Sequence, residues 1–186
     1  ENGLIDTNKA ISLAKEYNVP EKYLGNLYDQ KARIFYQQSK YDLSGEFYLK
    51  AFEIHKSNVE YLLQIAINFQ NNNKYKEAIK TYLSYEKILL DIQSSSIIDQ
   101  SYTPENITAI YSNLSLIYMD SQFKDYDFKK AIYYIEKAME YEENYLYYVI
   151  RGNIYSRSFK ETKNRSFYNK ALDDYEISLT KINNSN

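Results

Sequence analysis

His55 is the single histidine in a chain of 186 residues that contains no cysteine. A Ser-His-Asp hydrolytic set would have to be built on it, with the imidazole taking a hydroxyl proton and a carboxylate holding the ring. No nucleophile motif surrounds it. It falls near the end of a helical stretch, where partial positive charge is favoured, so we expect a surface or capping histidine. The missing cysteines remove thiolate nucleophiles, disulfides and thiolate metal sites. A metal would then need carboxylates alone, and the run Glu136, Glu140, Glu142 and Glu143 has the spacing of a solvated face. There is no glycine-rich phosphate loop. These residues predict no catalytic set, no metal site and no cofactor, and therefore a protein that is not an enzyme.

One basic cluster stands apart: Arg151, Arg157, Lys160, Lys163, Arg165 and Lys170 against a single acid, Glu161. It is expected in a solvated loop, with contact to an acidic partner or RNA as the other reading. The net charge of −2 creates no global field for a phosphate surface, so neither nucleic acid nor membrane is expected as a partner. No apolar run approaches the roughly 18 residues that a bilayer span requires. A cytoplasmic location is expected, although a cysteine-free chain suits the periplasm equally. The start at Glu1 without methionine suggests a processed protein or a piece of a longer one.

The elements that carry these residues are written in the punctuation. Glycine (4) and proline (2) are scarce, while tyrosine (23) and phenylalanine (8) are abundant. Scarce breakers favour long helices. Residues 25–58 align without a gap on 59–92, a shift of 34. Tyr28 falls on Leu62, Ala32 on Ala66, Phe35 on Phe69, Tyr41 on Tyr75 and Tyr48 on Tyr82. Two further copies follow if turns vary in length. Tyr111, Leu114, Ser115 and Tyr118 precede Phe128, Ala131, Ile135 and Ala138. Tyr148, Arg151, Gly152 and Tyr155 precede Tyr168, Ala171, Tyr175 and Ser178. Small residues (Ala32, Ala66, Ser115, Gly152) suit helix crossings. Aromatics three residues on share their face and fill the space between paired helices.

This pattern resembles the tetratricopeptide repeat family, whose period is about 34 and whose motif places an aromatic, a small residue and a second aromatic on the first helix of each hairpin. The resemblance implies an all-α, right-handed superhelix of antiparallel helix hairpins. Its expected parts are an N-terminal helix (1–24, cap or partial repeat), repeats at 25–58 and 59–92, an inter-repeat loop with helix start (93–107), a third repeat (108–143), a fourth with a long internal turn (144–182), and a frayed tail (183–186). The turns of copies three and four read as about four and about seven residues longer than standard. Residues 57–60 fit a capping box, and Thr103-Pro104-Glu105 fits an N-cap with proline in the first turn. Ile97 and Ile98 are expected to tuck against the surface.

In this family the first helices of successive hairpins line a concave groove that takes extended peptides or helices. The groove residues implied here are Asp29, Arg33 and Tyr36; Leu63, Gln64, Ile67 and Gln70; Ser112, Asn113, Leu116 and Met119; and Leu146, Val149, Ile150, Asn153 and Arg157. The clamp that one branch of the family uses for chaperone C-terminal tails would place Asp29 and Arg33, or Leu63 and Ile67, where lysine and asparagine belong, so such tails are not the expected partner. The apolar strip of Leu63, Ile67, Leu116, Leu146, Val149 and Ile150 marks a contact site for a protein or peptide, or for the protein's own segment or a second copy in a homodimer. The leading expectation is a protein-interaction scaffold. The ligand-sensing part of a larger bacterial regulator and a toxin-neutralising immunity protein stay open beside it.

Overall fold

A computed structural model describes residues 2–94 and 103–184. Among these residues all regular structure is helical: α1 (Asn2–Glu16), α2 (Glu21–Gln37), α3 (Tyr41–Ile54), α4 (Glu60–Asn71), α5 (Tyr75–Ser94), α6 (Pro104–Met119), α7 (Phe128–Tyr141), α8 (Tyr145–Thr162) and α9 (Arg165–Asn184). Two compact units result, Glu1–Ser101 with α1 to α5 and Tyr102–Asn186 with α6 to α9. Within each, every helix packs on the next in sequence. This is the packing of a helical-repeat solenoid, as the sequence predicts.

Side-chain pairs give the helices their direction. In the first unit Tyr36 meets Tyr41 and the earlier Tyr28 meets the later Phe47, so α2 and α3 run antiparallel. In the second, Tyr118 stacks on Tyr134 at 5.6 Å while Tyr111 reaches Tyr141. Across α8 and α9, Phe159 meets Tyr168, Arg151 meets Asp174, and Lys181 lies over Tyr148.

The small residues sit at the crossings. Ala32, Ala66, Ser115 and Gly152 are buried, as are Ser44, Ala78, Ala131 and Ala171 opposite them. At one crossing the Ser115 hydroxyl donates to the Ala131 carbonyl at 2.8 Å. Such a contact requires two helix backbones in close approach, which a larger side chain would prevent.

The turns repeat as well. Three residues join α2 to α3 and three join α4 to α5. Ser39 (φ 57°) and Asn73 (φ 58°) take the left-handed conformation at the same place in each. Lys40 N–H then donates to Phe35 O, and Lys74 N–H to Phe69 O. In the third hairpin eight residues join α6 to α7, yet Asp127 N–H donates to Tyr118 O in the same way. The extra residues fold back, placing Phe123 in the core against Tyr118. Thr103, Asp127 and Asn144 cap their helices through side-chain oxygens.

Several expectations require correction. The fourth hairpin has no long internal turn: α8 runs to Thr162 and only Lys163 and Asn164 precede α9. Its surplus residues lengthen the helices, because 153–162 contains no breaker and Lys163 (φ 57°) closes α8 with its N–H on Phe159 O. The capping box at 57–60 does not form. Val59 holds the cap position without a side-chain bond, and backbone bonds such as Asn58 N–H to His55 O turn the chain instead. The first-helix stretch of copy one begins at Glu21, four residues before 25, since Pro20 occupies its cap. Residues 183 and 184 belong to α9, not to a tail. Residues 93 and 94, expected in the inter-repeat loop, belong to α5, which reaches Ser94, whereas α6 starts at Pro104 behind its Thr103 cap as the sequence predicts. Ile97 and Ile98 lie outside the described residues.

Candidate interaction surface

In the first unit, α2 and α4 are tied where Asn71 Nδ2 donates to the Tyr36 hydroxyl at 3.2 Å. Asp29 and Arg33 pair one helical turn apart, at 3.0 Å. Gln70 Oε1 accepts from the buried Tyr82 hydroxyl at 2.8 Å. Leu63, Gln64, Ile67 and Gln70 are half-buried along α4, while Arg33 and Tyr36 are exposed on α2. The face is mostly polar. The Tyr48 and Tyr61 phenols lie close enough to feel the Asp29 charge, and burial is the main cause that lifts both above the usual phenol range, Tyr48 to about 12.

In the second unit, α6 and α8 meet where Arg157 Nη1 donates to the Met119 carbonyl at 3.0 Å. Leu116, Val149 and Ile150 are half-buried, and Leu146 is 48% exposed. Val149, Ile150, Asn153 and Arg157 follow Leu146 at helical spacing on one side of α8. Asn153 Oδ1 accepts from the Tyr175 hydroxyl at 2.9 Å. Ser112 and Asn113 turn their side chains back to the Ala109 carbonyl. Met119 is the exception: its side chain is buried, so it belongs to the core. It is the last residue of α6, on the side that the helix packs inward with Ser115.

The residues singled out for chemistry go to separate tasks. His55 is the C-cap of α3, as the capping reading expects, and is half-buried, with its Nε2 buried and without a hydrogen bond. Its ring fills the space over Gly25, where an added Cβ would lie 2.4 Å from Nε2. The acidic run disperses: Glu136 bonds Arg151, Glu140 bonds Lys137, Glu142 accepts from Tyr147 and Asn144, and Glu143 pairs with Lys181. Among the described residues no three His, Asp or Glu side chains are placed to hold a metal ion. None of the helices described is long and apolar enough to cross a membrane. The basic cluster is spread over two helices and a short turn, not gathered in a loop, with Arg151 and Arg157 bonded and Lys170 over the Tyr155 ring.

One arrangement escaped sequence reasoning. The residue before each crossing position is Lys31, Ile65, Leu114 or Arg151, and three residues past the opposite crossing position stand Phe47, Thr81, Tyr134 or Asp174. In the fourth hairpin this pair of positions holds an ion pair, with Arg151 Nη2 to Asp174 Oδ1 at 2.7 Å and Nε to Oδ2 at 2.9 Å. The Asp174 side chain is only 4% exposed. The two parallel bonds to Asp174 are the first cause holding the Arg151 guanidinium above its usual range. In the first hairpin the same two positions hold Lys31 over the Phe47 ring, 4.2 Å from its centroid. The alignment already places these pairs opposite one another. The available signal was Lys31 and Arg151 in a column shared with Ile65 and Leu114, and Asp174 facing one of them.

No protein-family model matches this chain, and no curated protein sequence matches it.

Proposed function

We propose that this chain is a tetratricopeptide-type, non-catalytic interaction scaffold that binds a peptide or an amphipathic helix on the faces formed by successive first helices. The period of 34 between the left-handed turn residues Ser39 and Asn73 supports the family assignment. So does the recurrence of one turn hydrogen bond in three hairpins. The observation that carries the binding role is the face of the second unit. There Leu116, Leu146, Val149 and Ile150 stay partly open to solvent while α6 and α8 are held together beneath them. Exposed apolar side chains at i, i+3 and i+4 spacing fit the apolar stripe of a helix or an aromatic-bearing peptide. The polar face of the first unit, with Asp29, Arg33, Tyr36 and Gln70, offers hydrogen-bonding groups to a polypeptide backbone.

The test is affinity capture from the source organism followed by mass spectrometry, repeated with Leu116→Asp and Ile150→Asp. Both variants are expected to keep their helical circular dichroism and to lose the captured partner. A partner recovered in wild-type amount by both would remove the face from the account. An activity against small substrates that disappears in His55→Ala with the fold intact would remove the non-catalytic reading.

A further inference from the structure

The seam between α2 and α3 carries more positive charge than its own acids satisfy. Phe35 and Phe47 stack there at 5.6 Å, with Tyr28 tilted against Phe47. Lys31 lies 4.2 Å and Lys50 4.6 Å from the Phe47 centroid, and Lys40 lies 6.0 Å from that of Phe35. A ring face attracts a cation through its quadrupole, worth roughly 0.5–2 kcal/mol, but it does not cancel the charge. Two ammonium groups held at one ring also repel each other. One carboxylate is in contact: Glu46 pairs with Lys50 at 2.5 Å. Among the described residues Lys31 has no such partner. Burial first, and the Lys50 charge second, hold the Lys31 ammonium below the usual lysine range, with Glu46 opposing and Lys15 adding to the repulsion.

The fourth hairpin shows how this position is completed elsewhere. There the cation Arg151 faces the carboxylate Asp174, where the first hairpin has Phe47. The first hairpin thus keeps the cation, doubles it with Lys50, and lacks the acid. We propose that Lys31 and Lys50, beside the Phe47 ring, form an acceptor site for a carboxylate carried on an acidic side chain of a polypeptide partner. The site lies on the seam within one hairpin, not on the first-helix faces, and it stands whether or not those faces bind a peptide.

The full chain, labelled with 13C, is titrated at low ionic strength with hexaglutamate, and in a parallel arm with inorganic phosphate. The ε-methylene signals of Lys31 and Lys50 and the ring signals of Phe47 are followed. Hexaglutamate is expected to shift these signals saturably. Lys31→Leu is expected to weaken binding roughly tenfold, the worth of one charge-assisted hydrogen bond. Leucine is what the third hairpin carries at this position, as Leu114, so the variant keeps a native-like packing, checked by circular dichroism. Lys50→Gln, altering a side chain 41% exposed, is the second variant and should weaken binding likewise. Lys87→Gln, on the exposed side of α5, should change nothing. Wild-type affinity in both seam variants, shifts equally large at Lys87, or saturation by inorganic phosphate but not by hexaglutamate would each overturn the proposal.

Discussion

The Arg151–Asp174 pair concentrates two opposite charges where the first hairpin places a cation over a ring and the second and third place only apolar or hydroxyl groups. Asp174 is nearly enclosed, so it depends on its partner for the interactions it gives up with water. Arg151→Leu is expected to cost about 2–4 kcal/mol in urea unfolding, because the acid is left buried alone. Adding Asp174→Asn should restore at least half of that loss. If the single and double variants unfold together, the pair is not coupled. Gly25 makes a different demand. A methyl group there meets the His55 ring at 2.4 Å, so Gly25→Ala should destabilise by about 1–3 kcal/mol, although alanine is the better helix former by about 1 kcal/mol. The double variant with His55→Ala should be more stable than Gly25→Ala alone. Equal stabilities would show that the ring simply moves aside.

At the scale of helices and turns, residues with positive φ fix where one element stops. Ser39 and Lys163 hold φ of 57° each, a region that suits glycine best. Ser39→Gly and Lys163→Gly should each raise stability by up to about 1 kcal/mol, read as a higher thermal midpoint. A lower midpoint would mean that the side chain itself contributes at the turn. Much of this scale was legible beforehand. The ungapped copies located α2 to α5 because alanine at the crossing and an aromatic three residues on recur on a fixed period. The longer connections were harder to place. Surplus residues in the third hairpin became a folded-back turn with Phe123 in the core, whereas those in the fourth became extra helix. Composition does not separate the two outcomes, since what decides them is whether a ring finds a cavity. The face residues were legible as positions on helices. Met119 was not, because one helical step of about 100° divides the solvent side from the buried side at the end of α6.

The molecule as a whole is held by phenol rings to an unusual degree, and this gives it a characteristic response to base. Burial raises Tyr48 to about 12 and pushes Tyr82 and Tyr85 further in the same direction. An unfolded chain loses these protons near pH 10. The stability they contribute is therefore complete below about pH 10 and is lost as the pH climbs through the raised values. Helix content and the part of the tyrosinate absorbance that belongs to the buried phenols should change together in one late step above pH 10. Gradual ionisation of every tyrosine near pH 10 with the helices intact would contradict this burial. The differing occupants of one aligned pair of positions have a last consequence, during refolding. Chains built from like modules risk annealing a helix to the wrong neighbour. If α2 docked on α9, Lys31 would reach the Asp174 acid but abandon its ring. If α4 docked there, Ile65 would seal that acid beneath hydrocarbon. Each first helix thus carries a key cut for its own second helix, and shuffled chimeras of these hairpins should recover from denaturant in poorer yield than the native order.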